Sequence, residues 1–230
     1  MTITDFNVAI VEGDSHLSKW VLEHRRLDVQ SVYCYLFQKY IPVGGVVVDV
    51  GACLGDHTVS YSEMVGENGR IHAYEPNIVA FECLAHNMLA YLNVVIHPFA
   101  LGSKCGRGVI VNTTSQNLGA AQISTRRDGC VHIATLDEQS ATWELPRLDF
   151  LKIDAEGFEP DIIRGGIETI QRFRPVILVE VNRPILKKRG KKPSDILGPL
   201  IDLSYSVQPS EPHISMDSDT LDVLCLPKNL

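Results

Sequence analysis

The sequence has no CxxC pair, no long apolar run and no excess of positive charge. Its six cysteines, Cys34, Cys53, Cys83, Cys105, Cys130 and Cys225, are scattered. Scattered thiols give no paired-cysteine redox or metal motif and suit a reduced, cytosolic protein. Cys105 and Cys130 flank one irregular segment and are placed to pair, but nothing requires it. No uninterrupted apolar run is long enough to span a bilayer, so no membrane span is expected. The opening stretch MTITDFNVAIVEGDSH is acidic and lacks the apolar centre of a secretory signal, and the chain reads as soluble and cytoplasmic. The formal net charge of -7 argues against general nucleic-acid binding, which wants a basic surface. His16, His24, His86 and His132 form no HxxxH or other ligand spacing. There is no internal repeat and no low-complexity tract, and nothing fixes an oligomeric state.

What remains is an ordinary globular balance. Of 230 residues, 45% are hydrophobic and 21% charged, enough for one large domain with small extensions. Strand and helix patterns alternate along the chain. An aromatic helix is expected over 30–40, ahead of Pro42 and Gly44-Gly45. Val46–Val50 is an apolar strand interrupted only by Asp49, as in a parallel sheet buried on both faces. Helices follow over 56–64 and 77–91, the second capped by Asn77 with Val79, Leu84, Met88 and Tyr91 near one face. Strands are expected over 70–76 and 94–101. The stretch 102–147 breaks the rhythm. It holds NTTSQN and two short β-like runs, 109–112 and 131–134, and reads as an inserted hairpin followed by a short helix near Asp137. Then come a strand in LDFLKIDAEG (148–157), a helix over 160–173 with Pro160 in its first turn, and a strand over 175–182. After the basic stretch 187–193 come a helix over 194–203 and strands over 205–208 and 221–226. The order predicts a doubly wound α/β sheet with an antiparallel addition at the C-terminal end.

Such sheets bind ligands at the carboxyl ends of their strands. Four predicted strand ends carry polar residues that the strand bodies lack. They are Asp49-Val50-Gly51-x-Cys53-x-Gly55, then Glu75, then Asp154-Ala155-Glu156-Gly157, then Glu180-Val181-Asn182. The glycines of the first permit a tight turn and close backbone approach. A P-loop is excluded, because Asp56 and His57 follow Gly55 where Lys and Ser or Thr belong. The dinucleotide fingerprint is also absent, since Cys53 occupies the place of the glycine that admits a pyrophosphate. A carboxylate at Asp49 suits a cationic, phosphate-free ligand. S-adenosylmethionine has an ammonium, a sulfonium and a ribose whose hydroxyls an acid such as Glu75, about 20 residues beyond Gly55, can accept.

The stretches VVDVGACLGDHT, HAYEPN, FALG, TLDE, LDFLKIDAEGFEPDIIRGG and RPVILVEVN, in that order, resemble the FkbM-type methyltransferases. The resemblance covers roughly residues 43–182, and 152–166 is its most specific part. It implies a class I methyltransferase (Rossmann-like) fold, mostly parallel and seven-stranded with an antiparallel C-terminal strand. It also implies O-methylation of a hydroxyl on a sugar, glycan or natural product. On this reading residues 43–230 form the S-adenosylmethionine-dependent methyltransferase domain with an insert at about 102–147, and 1–42 form an N-terminal helical extension. Asp49 lies near the methionine end of the cofactor. Gly51, Cys53 and Gly55 supply backbone, Glu75 with Asn77 holds the ribose, and Ala100 and Leu101 flank the adenine. Cys53 departs from the family, which more often has Asn there.

Methyl transfer to an alcohol needs a group that takes the hydroxyl proton. Asp154 is the first candidate, then Glu156 and Glu180, while Lys152 pairs with one of these acids. The competing reading makes Asp154 and Glu156 structural caps of the helix at Pro160. The three acids are also a donor set for Mg²⁺, but their spacing is not diagnostic and no metal is expected. His57 sits just inside the helix after the glycine loop, where it can face the cleft. His97, mid-strand, reads as a core histidine with a backbone partner. The basic run 187–192 and Arg126-Arg127 either steer an anionic acceptor or are solvated. Three other functions remain open: an RNA ribose methyltransferase, an NAD-dependent oxidoreductase and a non-catalytic scaffold. An amino-methylating DNA enzyme is disfavoured, because DAEG stands where D/N-P-P-Y/F belongs.

Overall fold

The computed structural model describes residues 1–28, 34–111 and 117–228. In chain order the elements are β1 (Thr2–Ile3), β2 (Ala9–Ile10), α1 (Leu17–His24), α2 (Cys34–Tyr40), β3 (Val46–Val50), α3 (Asp56–Val65), β4 (Arg70–Tyr74), α4 (Ile78–Asn87), β5 (Val94–His97), β6 (Ala100–Leu101), β7 (Gly106–Val111), β8 (Gln122–Thr125), β9 (Val131–Ala134), α5 (Leu136–Thr142), β10 (Phe150–Ile153), α6 (Glu159–Arg164), α7 (Ile167–Phe173), β11 (Val176–Asn182), α8 (Arg183–Lys188), α9 (Ser194–Asp202), β12 (Tyr205–Pro209) and β13 (Thr220–Pro227). The first residues of the helix expected over 30–40 lie outside the described residues, as do Asn112 and most of the NTTSQN run.

Seven strands form the central sheet in the order β12-β13-β11-β10-β3-β4-β5. Five of them, β11-β10-β3-β4-β5, are mutually parallel, and β13 runs antiparallel to both β11 and β12. The order reverses between β3 and β10, which opens a crevice beyond their carboxyl ends. Every residue of β3 and β10 is buried, so neither strand shows the alternation of a half-exposed sheet. Asn77 caps α4 as its side chain accepts from the Val79 amide at 3.2 Å. Leu84 and Met88 are buried as the spacing predicts, but Val79 is 38% exposed. Within the turn that the cap sets, it lies on the outer side.

Several elements differ from expectation for local reasons. The strand expected over 94–101 is two strands in different sheets. Pro98 has no amide to continue the ladder, and the chain leaves the central sheet after His97. The helix expected over 160–173 is split at Gly165-Gly166. A Cβ at Gly165 would stand 1.9 Å from the Gly102 carbonyl oxygen, so the chains approach too closely for any side chain. Asp137 then caps the second half from outside, accepting from the Thr169 amide at 2.7 Å. The insert is more than a hairpin. β7 pairs with β9 only over Gly106, Arg107 and Gly108, and its remaining length pairs with β8, which the sequence reading did not contain. With β6 these strands make a second sheet ordered β6-β9-β7-β8. The first forty residues contain the β1–β2 hairpin as well as helices. α8 was also unforeseen. Asn182 caps it, accepting from the Ile185 amide.

The N-terminal hairpin is part of the core rather than an appendage. Ala9 and Ile10 pack with Leu54, Val59, Leu84 and Met88 in one buried cluster. Asn87 ties them together. Its Oδ1 accepts from the Ala9 amide at 2.7 Å, and its Nδ2 donates to the carbonyls of Ala9 and Leu54. Replacing Asn87 with Ala leaves these backbone groups unpaired, and urea denaturation is expected to show a loss of about 1–3 kcal/mol.

Candidate active site

The sheet order sets the carboxyl ends of β4, β3, β10 and β11 side by side. Beyond them lies a cleft of about 290 Å³. Asp49, Gly51 and Cys53 line it from the β3 loop, Glu75 from the end of β4, Ala100 and Leu101 from β6, and Asp154, Glu156 and Glu180 from the ends of β10 and β11. Of the catalytic and cofactor-binding residues expected from the sequence, Gly55 and Asn77 do not line it. Gly55 (φ +95°) lets α4 approach, since a Cβ there would meet Met88 at 2.7 Å. Asn77 acts as the helix cap described above.

Backbone geometry explains the β3 loop. Gly51 has φ +84°, and a Cβ at that position would fall 1.8 Å from the Asp154 carbonyl oxygen. The glycine therefore allows two strand ends to touch. The amides of Gly51 and Ala52 both donate to the Tyr74 carbonyl. Cys53 also adopts a left-handed conformation, at φ +49°. Its amide donates to Glu75 Oε2 at 2.9 Å, while the Asn77 amide donates to Oε1 at 2.7 Å. Glu75 thus braces the glycine loop against the start of α4. Burial lifts its pKa to about 7 against these two amides. Each oxygen keeps a free lone pair.

Asp49 is 1% exposed. Its Oδ2 accepts from the Thr58 hydroxyl at 2.6 Å, while Oδ1 has no partner among the described residues. Burial raises its pKa, opposed by the Lys152 charge and the Thr58 bond.

Lys152 stands opposite Asp49 in the β3–β10 register, and its Nζ is 3.1 Å from Asp154 Oδ2. Burial works against its cation, yet Asp154 and Asp49 hold its pKa above the usual lysine range. The expected pairing of Lys152 with one of the acids is therefore with Asp154. Glu156 has φ +51°, and burial followed by the Asp154 charge moves its pKa up to about 7. Burial, and then the charges of Asp154 and Glu156, push Glu180 well above the carboxylate range.

The sequence reading missed Glu159. It is fully buried, and its Oε1 accepts from the amides of Ala155 at 2.9 Å and Gly157 at 3.0 Å. The helix-entrance role considered for Asp154 and Glu156 thus belongs to Glu159. Its signal was present as the second acid of AEGFE, next to the helix-starting Pro160. Also missed were His16 and Leu17 from the N-terminal segment and Leu118 and Ile123 from the insert, all lining the cleft. Nothing in the local sequence pattern marks these four residues.

His57 does line the cleft, with Asp56 at 3.5 Å and the Tyr61 hydroxyl at 3.4 Å. Burial lowers its pKa to about 4, so it is neutral at pH 7. His97 is buried, but its partner is His72 (Nε2 to Nδ1, 3.2 Å) rather than backbone. Arg126 pairs with Asp128 at the surface. All six cysteines are free. Among the described residues no three His, Cys, Asp or Glu side chains come together to hold a metal ion, and no helix is long and apolar enough to cross a membrane.

The sheet order and the acid-lined crevice define a class I methyltransferase fold. Residues 49–207 match the Methyltransferase FkbM domain, and the chain belongs to that family. It is 27% identical over 165 residues to the hexuronic acid methyltransferase AglP of Haloferax volcanii, covering 71% of this chain and 64% of that one. The solved structure of an FkbM methyltransferase from Methylobacillus flagellatus KT superposes with a TM-score of 0.52 at 14% identity, over 79% of this chain and 43% of that one. Aeropyrum pernix fibrillarin, solved with natively bound S-adenosyl-L-methionine, gives 0.51 at 12% identity over 85% of this chain and 74% of its own. These two share the fold. The chain spans under two thirds of the curated relative's length.

Cys53 occupies a backbone conformation that asparagine tolerates better. Cys53→Asn is expected to preserve the loop and raise stability by about 0.5–1 kcal/mol as strain is relieved. Thermal denaturation checks this, and a lowered midpoint would count against it.

Proposed function

We propose that the chain is an S-adenosylmethionine-dependent methyltransferase that methylates a hydroxyl of a sugar or glycan. The observation that carries this is Oδ1 of buried Asp49, unpartnered among the described residues, on the same cleft as Glu75. A buried acceptor with no donor fits a ligand that brings its own cationic donors. Glu75 has acceptor capacity left for two ribose hydroxyls. The loop offers neither the lysine nor the glycine that a pyrophosphate needs. The residues present therefore fit the cofactor. Asp49 and the 51–53 backbone would hold its methionine end, Glu75 its ribose, and Ala100 and Leu101 its adenine. When bound, it supplies an activated methyl group.

The protein's part is to aim an acceptor oxygen and take its proton. Orientation alone is worth about 7–11 kcal/mol of barrier. Lys152 Nζ, 3.1 Å from Asp154 Oδ2, fixes the direction of that carboxylate. Asp154, whose side chain is 40% exposed at the cleft, accepts the hydroxyl hydrogen. Glu156, near half-ionised at neutral pH, is the second candidate for that proton. Glu180, held protonated, donates a hydrogen bond to an acceptor oxygen. Such an array of donors and acceptors suits a polyhydroxyl ligand, and the hexuronic acid named for the Haloferax relative is of that class. We assign the catalytic domain to 43–230, with 1–42 contributing His16 and Leu17 to its wall.

Calorimetry with S-adenosylmethionine and with NAD tests the cofactor. Binding of the first and not the second is expected, and the reverse would defeat the reading. Glu75→Ala should weaken S-adenosylmethionine binding. Asp154→Asn should leave binding within about twofold and lower turnover by roughly 10²–10⁴. S-adenosylhomocysteine release, measured over a panel of uronic acids and neutral glycans, reads the turnover.

A further inference from the structure

Arg189 belongs to the basic run expected either to steer an anionic acceptor or to be solvated, and Lys187 and Lys188 beside it are exposed. Arg189 instead turns inward. Its Nη2 donates to the Ile123 carbonyl of β8 at 2.9 Å, across 66 residues of sequence. Its guanidinium carbon stands 5.8 Å from the centroid of the Phe158 ring. Its stem lies along Gly157, where a Cβ would come within 2.8 Å of Cδ and Nε. One side chain therefore touches the insert strand above the cleft and the loop beneath it. Ile123 and Phe158 both line the cleft.

We propose that Arg189 is a positioning residue that clamps β8 of the insert onto the 154–159 loop and so fixes Glu156 at the acceptor end of the cleft. The planar fork suits this work. One edge bonds a carbonyl while the face rests on an aromatic ring, which a lysine ammonium cannot reproduce. The charge also matters to Glu156. Asp154 and Glu159 from the same loop face Glu156 with negative charge, Glu180 from β11 stands near it as a largely neutral acid, and Arg189 is the cation that opposes the first two. The inference rests on the methyltransferase reading only for the role given to Glu156. The clamp itself is independent of it.

The full-length chain tests both parts. Carbon NMR follows the titration of the glutamate carboxyls, with Glu156 assigned by its loss in Glu156→Gln. Arg189→Met should raise the Glu156 midpoint by about half a pH unit or more, because its opposing charge is gone. Amide exchange over 122–125 should quicken by roughly tenfold as the clamp opens. Arg189→Lys should hold the Glu156 midpoint near that of the unmodified protein while exchange still quickens, which separates charge from clamp. Calorimetry should find S-adenosylmethionine affinity in Arg189→Met within about twofold of the parent, since Asp49 and Glu75 are untouched. An unmoved midpoint together with unchanged exchange overturns the proposal. If Arg189→Met does not fold, unchanged exchange in Arg189→Lys overturns it alone. Failure of the unmodified protein to bind S-adenosylmethionine defeats the functional reading instead and leaves these two measurements standing.

Discussion

Carboxylates removed from water repel one another and lose their hydration, and this cleft gathers Asp49, Asp56, Glu75, Asp154, Glu156 and Glu180. The Lys152 ammonium is what makes that density tolerable. At an effective dielectric near 20, unit charges 4 Å apart interact by about 4 kcal/mol, enough to decide the ionisation of a neighbour. Asp154 is bonded to Lys152 and Asp49 lies within its field, while Glu180 lies among acids and is pushed well above the carboxylate range. That contact depends on register. Lys152 meets Asp49 because β10 and β3 are parallel neighbours with those residues opposite each other. A one-residue slip would turn the lysine to the other face of the sheet and leave the acids without a cation.

The same contact explains what the sequence made legible. Strand bodies buried on both faces are uniformly apolar, so any polar residue within them stands out. Asp49 and Lys152 were visible for that reason, and Glu75 followed from its distance to the glycine loop. The sheet order could be anticipated because alternating strand and helix patterns leave few topologies. Less visible were features set by contacts distant in sequence. The break at Gly165-Gly166 answers to the carbonyl of Gly102, and the cap on α7 comes from Asp137. Glu159 looked like one acid among several because its role, bonding two amides of its own loop, depends on a backbone conformation that spacing alone does not encode. Arg189 was hidden inside a basic run in which Lys187, Lys188 and Lys192 are exposed.

The cleft has three contributors of different character. Its floor is the sheet end, its roof the β6-β9-β7-β8 sheet with Leu118 and Ile123, and one wall the N-terminal segment with His16 and Leu17. Asp14 joins the last two. It is buried, accepts from the Ser18 amide at 2.7 Å, and faces the Leu118 amide at 3.4 Å. Asn87 anchors the same N-terminal segment to the glycine loop. Asp14 and Asn87 thus add polar ties to the apolar packing that joins roof and wall to the floor.

The glycines of the β3 loop do not act as a phosphate cradle. Gly51 is required by the Asp154 carbonyl and Gly55 by Met88 and Leu84, so both serve contacts within the protein. The side chains beside that loop include Asp49 and Glu75. Both are buried acids, and each keeps acceptor capacity that its protein partners do not use. An anionic ligand would add charge to a cleft that has too much of one sign already. A cationic ligand would relieve it, adding to the Lys152 charge that already opposes the burial of Asp49.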